Sequence, residues 1–99
     1  MVTQILTFTK SSGVWETTPA EEILNAVNTA DTTSIEYINT LGTDVFTETQ
    51  YLASETVYTI TREWFDLDAY ATYTALNSVN NNIAALNAVG ISVTSETID

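Results

Sequence analysis

Cysteine and histidine are both missing from the 99 residues. Without thiols there is no disulfide framework, thiolate metal site or cysteine nucleophile, and without imidazole the commonest general base and metal ligand is gone as well. Basic side chains are nearly as scarce: Lys10 and Arg62 stand against thirteen acidic residues, for a formal charge of −11. A surface this negative repels phosphate backbones and anionic headgroups, which are gripped by clusters of Lys and Arg. Neither nucleic acid nor a membrane is therefore expected as a partner, and the acidity reads first as a source of solubility. The opening segment Met1-Val2-Thr3-Gln4-Ile5-Leu6 carries neither a charged leader nor a long apolar run. No signal peptide or membrane span is read from it, and a cytoplasmic location is the expectation. Phosphate-binding glycine loops, nucleophile elbows, metal-ligand spacings and internal repeats do not occur, and no metal or cofactor is expected.

What is present fits one domain over residues 1–99, with 44% hydrophobic content and no stretch resembling a linker between two cores. A chain of this length buries roughly two thirds of its unfolded surface, a thin margin that gives a reason to pair with a second copy. Threonine fills nineteen positions, many of them alternating with apolar residues at the period of half-buried strands.

Val2 to Thr9 is the first such run, with Gln4, Leu6 and Phe8 on one face and Thr3, Ile5, Thr7 and Thr9 on the other. Ser11-Ser12-Gly13 breaks it. Thr18-Pro19-Ala20-Glu21 starts a helix: Thr18 can accept from free backbone N–H groups, Pro19 is harmless at the first helical position, and Glu21 supplies the acid of a capping box. Ala20, Ile23, Leu24, Val27 and Ala30 then make an apolar stripe reaching about Ala30. Ser34 to Leu41 reads as a second strand, Ile35 and Tyr37 inward and Glu36, Ile38 and Thr40 outward, before a turn at Gly42-Thr43-Asp44. Residues 45–54 give a mixed signal, expected as an irregular strand extension or hairpin loop. Thr56 to Phe65 is the clearest strand, Tyr58, Ile60 and Trp64 alternating with Val57, Thr59, Thr61 and Glu63. Asp66 caps a second helix whose apolar positions run from Ala69 through Tyr73, Leu76, Val79, Ile83 and Leu86 to Val89. Asn80-Asn81-Asn82 predicts a kink or restart in it, because asparagine competes for nearby backbone groups. Gly90 ends that helix, and Ile91 to Ile98 forms the last strand.

This order predicts an α+β, ferredoxin-like βαββαβ sandwich, a four-stranded antiparallel sheet with two helices on one face. The opposite face is left open and carries Thr3, Ile5, Thr7, Glu36, Ile38, Val57, Thr59, Thr61, Glu63, Thr94, Glu96 and Ile98. An antiparallel sheet can keep one face wet, yet Ile5, Ile38, Val57 and Ile98 make an apolar patch that a twin sheet would cover. The expected assembly is a homodimer through this face, enclosing between its sheets a cavity suited to a small molecule.

The run Thr59-Ile60-Thr61-Arg62-Glu63-Trp64-Phe65-Asp66-Leu67-Asp68-Ala69-Tyr70 resembles the strand-to-helix junction of dimeric α+β barrel proteins, where a strand ends in an aromatic followed by an acidic, helix-starting segment. The antibiotic-biosynthesis-monooxygenase-like group is the best known branch, and small ferredoxin-like proteins from environmental marine samples are similar in length and element order. The resemblance implies the dimeric barrel and, as activity, a cofactor-free monooxygenase or isomerase acting on a small organic substrate. Catalytic branches often carry His, Asn, Tyr or Trp in the cavity; without histidine, haem-degrading or His-assisted chemistry is unsupported. A structural or assembly subunit is the third reading, which the Thr- and Asn-rich, Lys-poor composition allows.

Alternation gathers Glu36, Glu63 and Glu96 on the open face, with Thr61 among them, and these are the candidate ligand-binding residues. Carboxylates in a partly closed cavity raise one another's pKa, bind a hard cation or accept a proton, with Glu63 as the base in a catalytic reading. The competing reading is solvated positions near strand ends, and a one-residue slip in register would scatter them. Arg62 falls on the helix-facing side, expected to lean out at the edge and pair with an acid, or else to anchor an anion. Trp64 and Tyr73 read as core. Trp15 and Tyr51 lie in or beside loops, where they could line a pocket or anchor a subunit contact. Asp66 and Asp68 are explained by capping.

Overall fold

The computed structural model describes residues 1–15, 18–27 and 32–98. They form, in order, β1 (Val2–Lys10), α1 (Pro19–Val27), α2 (Thr33–Asn39), β2 (Phe46–Leu52), β3 (Val57–Trp64), α3 (Leu67–Ala75), α4 (Asn77–Ala88) and β4 (Ile91–Ile98). The strands make one antiparallel sheet in the order β2-β3-β1-β4, the topology of a ferredoxin-like α+β sandwich, with each crossover built from two helices in place of one. No helix among the described residues is long and apolar enough to cross a membrane.

The strongest local signals hold. β1 and β3 pair from Val2 opposite Trp64 to Thr9 opposite Val57, with Tyr58, Ile60, Arg62 and Trp64 buried and the residues between them less so. At the start of α1 the Glu21 and Glu22 N–H groups donate to the Thr18 carbonyl at 2.9 and 3.2 Å; residues 28–30 of the expected helix lie outside the described residues. Asp66 caps α3, its Oδ1 accepting from the N–H groups of Asp68 and Ala69 at 3.0 and 3.1 Å. Gly90 follows α4 with φ of 83°, a left-handed turn that a side chain would resist.

Three assignments change. Residues 33–39 are helix α2, not a strand. Over seven residues the two periods cannot be told apart, and tertiary contacts decide. The N–H of buried Ser34 donates to Ser78 Oγ at 2.9 Å, fastening α2 to α4, while Ile35 and Ile38 pack against the core. Glu36 and Ile38 are thereby removed from the open face of the sheet, and Glu36 is exposed on α2. The hairpin partner of β3 is instead β2, inside the mixed stretch 45–54. Phe46, Glu48, Gln50 and Leu52 are its inward positions, so two polar residues interrupt the apolar alternation by which strands are recognised.

The third change concerns the long second helix, which breaks at Leu76, where ψ is 128°, and not at Asn80-Asn81-Asn82. Just before the break the hydroxyls of Thr72 and Thr74 donate to the carbonyls of Asp68 and Ala71 at 2.9 and 3.2 Å, local bonds that weaken a helix. Asn82 stays helical because its side chain finds a tertiary partner, Nδ2 donating to Ser34 Oγ at 2.9 Å.

Beneath the helices the interior sorts into two apolar groups. Phe8, Trp15, Val27, Tyr58, Ile60, Leu86 and Ile91 form one. Val2, Trp64, Ala69 and Tyr73 form the other, with Trp64 fully buried and stacked on Phe46 and Tyr73 at centroid distances of 5.0 and 5.6 Å. Burying each large side chain contributes about 1.5–3 kcal/mol. Between the groups the inward face of the sheet turns polar: Glu48, Arg62, Gln4 and Thr97 are successive cross-strand partners, one row spanning all four strands.

Candidate functional site

Three members of that row, Glu48, Arg62 and Gln4, line a partly open cavity of about 540 Å³ between the sheet and the helices. Most of its remaining wall is apolar, with Leu6 and Ile60 from the sheet and Ile23, Ile35 and Leu86 from the helices. A mostly apolar cavity of this size with a few converging polar groups is the usual form of a small-molecule site.

The polar groups are held in place by their own partners. Arg62, 9% exposed, donates from Nε to Glu48 Oε1 at 2.8 Å and from Nη1 to the Tyr73 hydroxyl at 3.1 Å, with its guanidinium 5.5 Å from the Tyr73 ring centroid. Burial works against its charge, but the Tyr73 hydroxyl and the Glu48 carboxylate outweigh that effect and hold its pKa above the ordinary arginine value, so the group is a permanent cation. The second Glu48 oxygen accepts from Gln50 Nε2 at 3.1 Å. Gln4, 4% exposed, accepts from Trp64 Nε1 through its Oε1 at 3.2 Å. An indole nitrogen can only donate, so chemistry fixes which way this amide lies.

From the helix side Ser34 and Asn82 also line the cavity. Ser78 Oγ and Asn82 Nδ2 each donate to Ser34 Oγ at 2.9 Å, while Asn82 Oδ1 is buried with no partner among the described residues. Outside the cavity, Trp15 is buried against Tyr58 with ring centroids 6.0 Å apart. Trp15 Nε1 and the Tyr58 hydroxyl are likewise buried without a partner among the described residues. Burial pushes the Tyr58 hydroxyl above its ordinary pKa, Glu48 adding to the rise and Arg62 opposing it.

The residues singled out from the sequence lie elsewhere. Thr61 and Glu63 on β3 and Glu96 on β4 do face away from the helices, Thr61 between Ile5 and Thr49, Glu63 between Thr3 and Thr47, and Glu96 beside Ile5. β1 separates the two carboxylates, which at ordinary strand spacing puts them on the order of 10 Å apart sideways, too far to share a proton. Glu36, on α2, does not join them. No group of three or more acidic side chains among the described residues converges to hold a metal ion. Arg62 pairs with an acid as expected but from a buried position, and Trp15 is buried where a loop residue was expected to be free. Sequence reasoning missed Glu48, Gln50 and Gln4 as a site. The available signal was their polarity at inward strand positions, where packing alone would place apolar side chains.

No family model and no curated protein matches the sequence. Among solved structures the fold is similar to that of SnoaB, a cofactor-independent oxygenase from Streptomyces nogalater, with a TM-score of 0.56 and 15% identity over 99% of this chain and 90% of that one. It is also similar to a candidate antibiotic biosynthesis monooxygenase from Deinococcus radiodurans, with a TM-score of 0.55 and 18% identity over 100% of this chain and 91% of that one. A corresponding protein from Caulobacter crescentus CB15 gives a TM-score of 0.54 and 15% identity over 99% and 88%. At these identities the likeness is one of fold: the chain has the ferredoxin-like α+β architecture found in antibiotic-biosynthesis-monooxygenase-like proteins.

Proposed function

We propose that the chain binds a small, largely apolar organic molecule in the cavity between sheet and helices. The observation that carries this reading is the cavity itself, about 540 Å³ and mainly apolar, with a buried arginine and glutamine set into one wall and the exposed Glu48 beside them. A core designed only for packing gains nothing from polar groups there. A thermal-shift screen of small aromatic and alicyclic compounds tests it, with saturable shifts that disappear when Leu6→Trp fills the cavity as the expected result. Shifts undiminished by that substitution would place binding elsewhere.

The functional unit in this reading is a homodimer joined through the open sheet face. That face carries Thr3, Thr7, Thr9, Thr47, Thr49, Thr59, Thr61 and Thr94, three aliphatic residues, and only Glu63 and Glu96 among the acids. It is the surface where two chains of charge −11 would repel each other least. In such a dimer Thr61, Glu63 and Glu96 face the partner sheet, and any ligand held between the sheets would meet them.

A second reading is a cofactor-free monooxygenase acting on the bound molecule, favoured by the fold likeness to SnoaB. Oxygen uptake in step with loss of a bound phenolic compound tests it; binding without uptake leaves the first reading standing alone.

A further inference from the structure

We propose that Gln4 and Arg62 together form a seat for one carbonyl oxygen, so that the molecule held in the cavity is uncharged and carries a ketone, ester or amide group. The inference rests on the cavity being a binding site and says which chemistry that site selects. Gln4 and Arg62 are direct cross-strand partners on β1 and β3, both line the cavity and both are more than nine-tenths buried. Because Trp64 claims the oxygen of the Gln4 amide, the NH2 group is the end left over, and it has no partner among the described residues. Arg62 uses Nε on Glu48 and Nη1 on Tyr73, which leaves the two N–H groups of Nη2 likewise without a protein acceptor. Neither donor is among the buried atoms left without a partner, so in the open cavity water can serve both, and a ligand oxygen that takes over their hydrogen bonds displaces that water without loss. A carbonyl oxygen has two lone pairs, one for each donor.

The charge balance decides between a carbonyl and a carboxylate. Glu48 already neutralises Arg62 at 2.8 Å, so a ligand carboxylate would bring a second, unbalanced negative charge up against Glu48. A neutral carbonyl gains the same hydrogen bonds without that repulsion. The apolar wall formed by Leu6, Ile23, Ile35 and Ile60 accepts the rest of the molecule.

Three near-isosteric probes, 2-acetylnaphthalene, 2-ethylnaphthalene and 2-naphthoate, titrated into the full chain and followed by NMR chemical shifts, test the seat. The ketone should bind at least tenfold more tightly than either of the others. Equal affinity for ketone and hydrocarbon would overturn the seat while leaving the cavity as a binding site; tightest binding of the carboxylate would overturn the preference for an uncharged ligand. Binding of none of the three would remove seat and cavity reading together. Gln4→Glu keeps an oxygen for Trp64 but replaces the free donor by an acceptor. It should weaken the ketone at least tenfold and the hydrocarbon less than twofold, with the Trp64 indole N–H resonance retained as evidence of an intact fold. Should that variant not fold, Arg62→Lys keeps the charge and removes the planar fork, and the ketone should again weaken selectively. Unchanged ketone affinity in either folded variant refutes the assignment.

Discussion

Trp64 donates its indole N–H to Gln4 Oε1 at 3.2 Å, joining residues sixty apart in the chain. Trp64 has no exposed surface, so no water can replace that acceptor. Gln4→Leu therefore leaves a buried donor unsatisfied and should destabilise the fold by about 1–3 kcal/mol. Urea unfolding followed by tryptophan fluorescence measures it, and an unchanged midpoint would mean the indole finds another acceptor.

Arg62 and Glu48 differ in what each leaves behind. The arginine side chain is 11% exposed and the glutamate 28%. Glu48→Ala strands a buried cation with Tyr73 as its remaining partner, whereas Arg62→Met leaves a carboxylate that reaches water and Gln50. Loss of stability on the order of 2 kcal/mol or more is expected for the first and less than half of that for the second. Equal losses in chemical denaturation would show that the guanidinium is hydrated.

How far the sequence could be read followed from how local each signal was. The alternation within β1 and β3, the Asp66 cap and the Gly90 stop depend on neighbours in sequence and were legible. Residues 33–39 were not, because their short alternation fits either period and Ser34 is committed to helix by Ser78, 44 residues away. β2 was obscured for a related reason: Glu48 and Gln50 occupy inward positions because they line a cavity, and a cavity has no sequence period. The acidic trio expected on the open face dissolved with the strand assignment of Glu36, whereas Thr61, Glu63 and Glu96 kept the face that alternation gave them. Arg62 and Gln4 were assigned to the inward face correctly, but their joint role became visible only once register set them opposite each other.

Tyr58 bears a buried hydroxyl without a partner among the described residues. Tyr58→Phe should accordingly leave stability at neutral pH unchanged or raise it by up to about 1 kcal/mol. The two proteins should diverge in alkali. Burial raises the folded-state pKa above 10.0, so the unfolded phenol loses its proton first, and stability tied to Tyr58 is complete below pH 10 and declines as pH rises through the folded-state value. Denaturation curves from pH 8 to 11 should show a steeper fall for wild type, and parallel curves would contradict the buried, protonated phenol.

Thr59 sits near the centre of the open sheet face, between Thr7 and Tyr51. A homodimer through this face predicts that Thr59→Glu, which places like charges against each other, converts dimer to monomer at micromolar concentration with an unchanged circular dichroism spectrum. Native mass spectrometry reads the result; a wild-type protein already monomeric under those conditions would dispose of the face-to-face assembly.

The row of Glu48, Arg62, Gln4 and Thr97 also acts as a partition. The Phe8 group and the Trp64 group have no buried member in common, so a change of shape on one side is poorly transmitted to the other, and substitutions made in each should combine additively. The polar residues that would touch a guest stand on that divide, and two of them also serve the Trp64 group, Gln4 as acceptor for Trp64 and Arg62 as donor to Tyr73. In so small a chain, selectivity for a guest and the stability of one compartment thus hang on the same two side chains, and a change in the first is felt in the second.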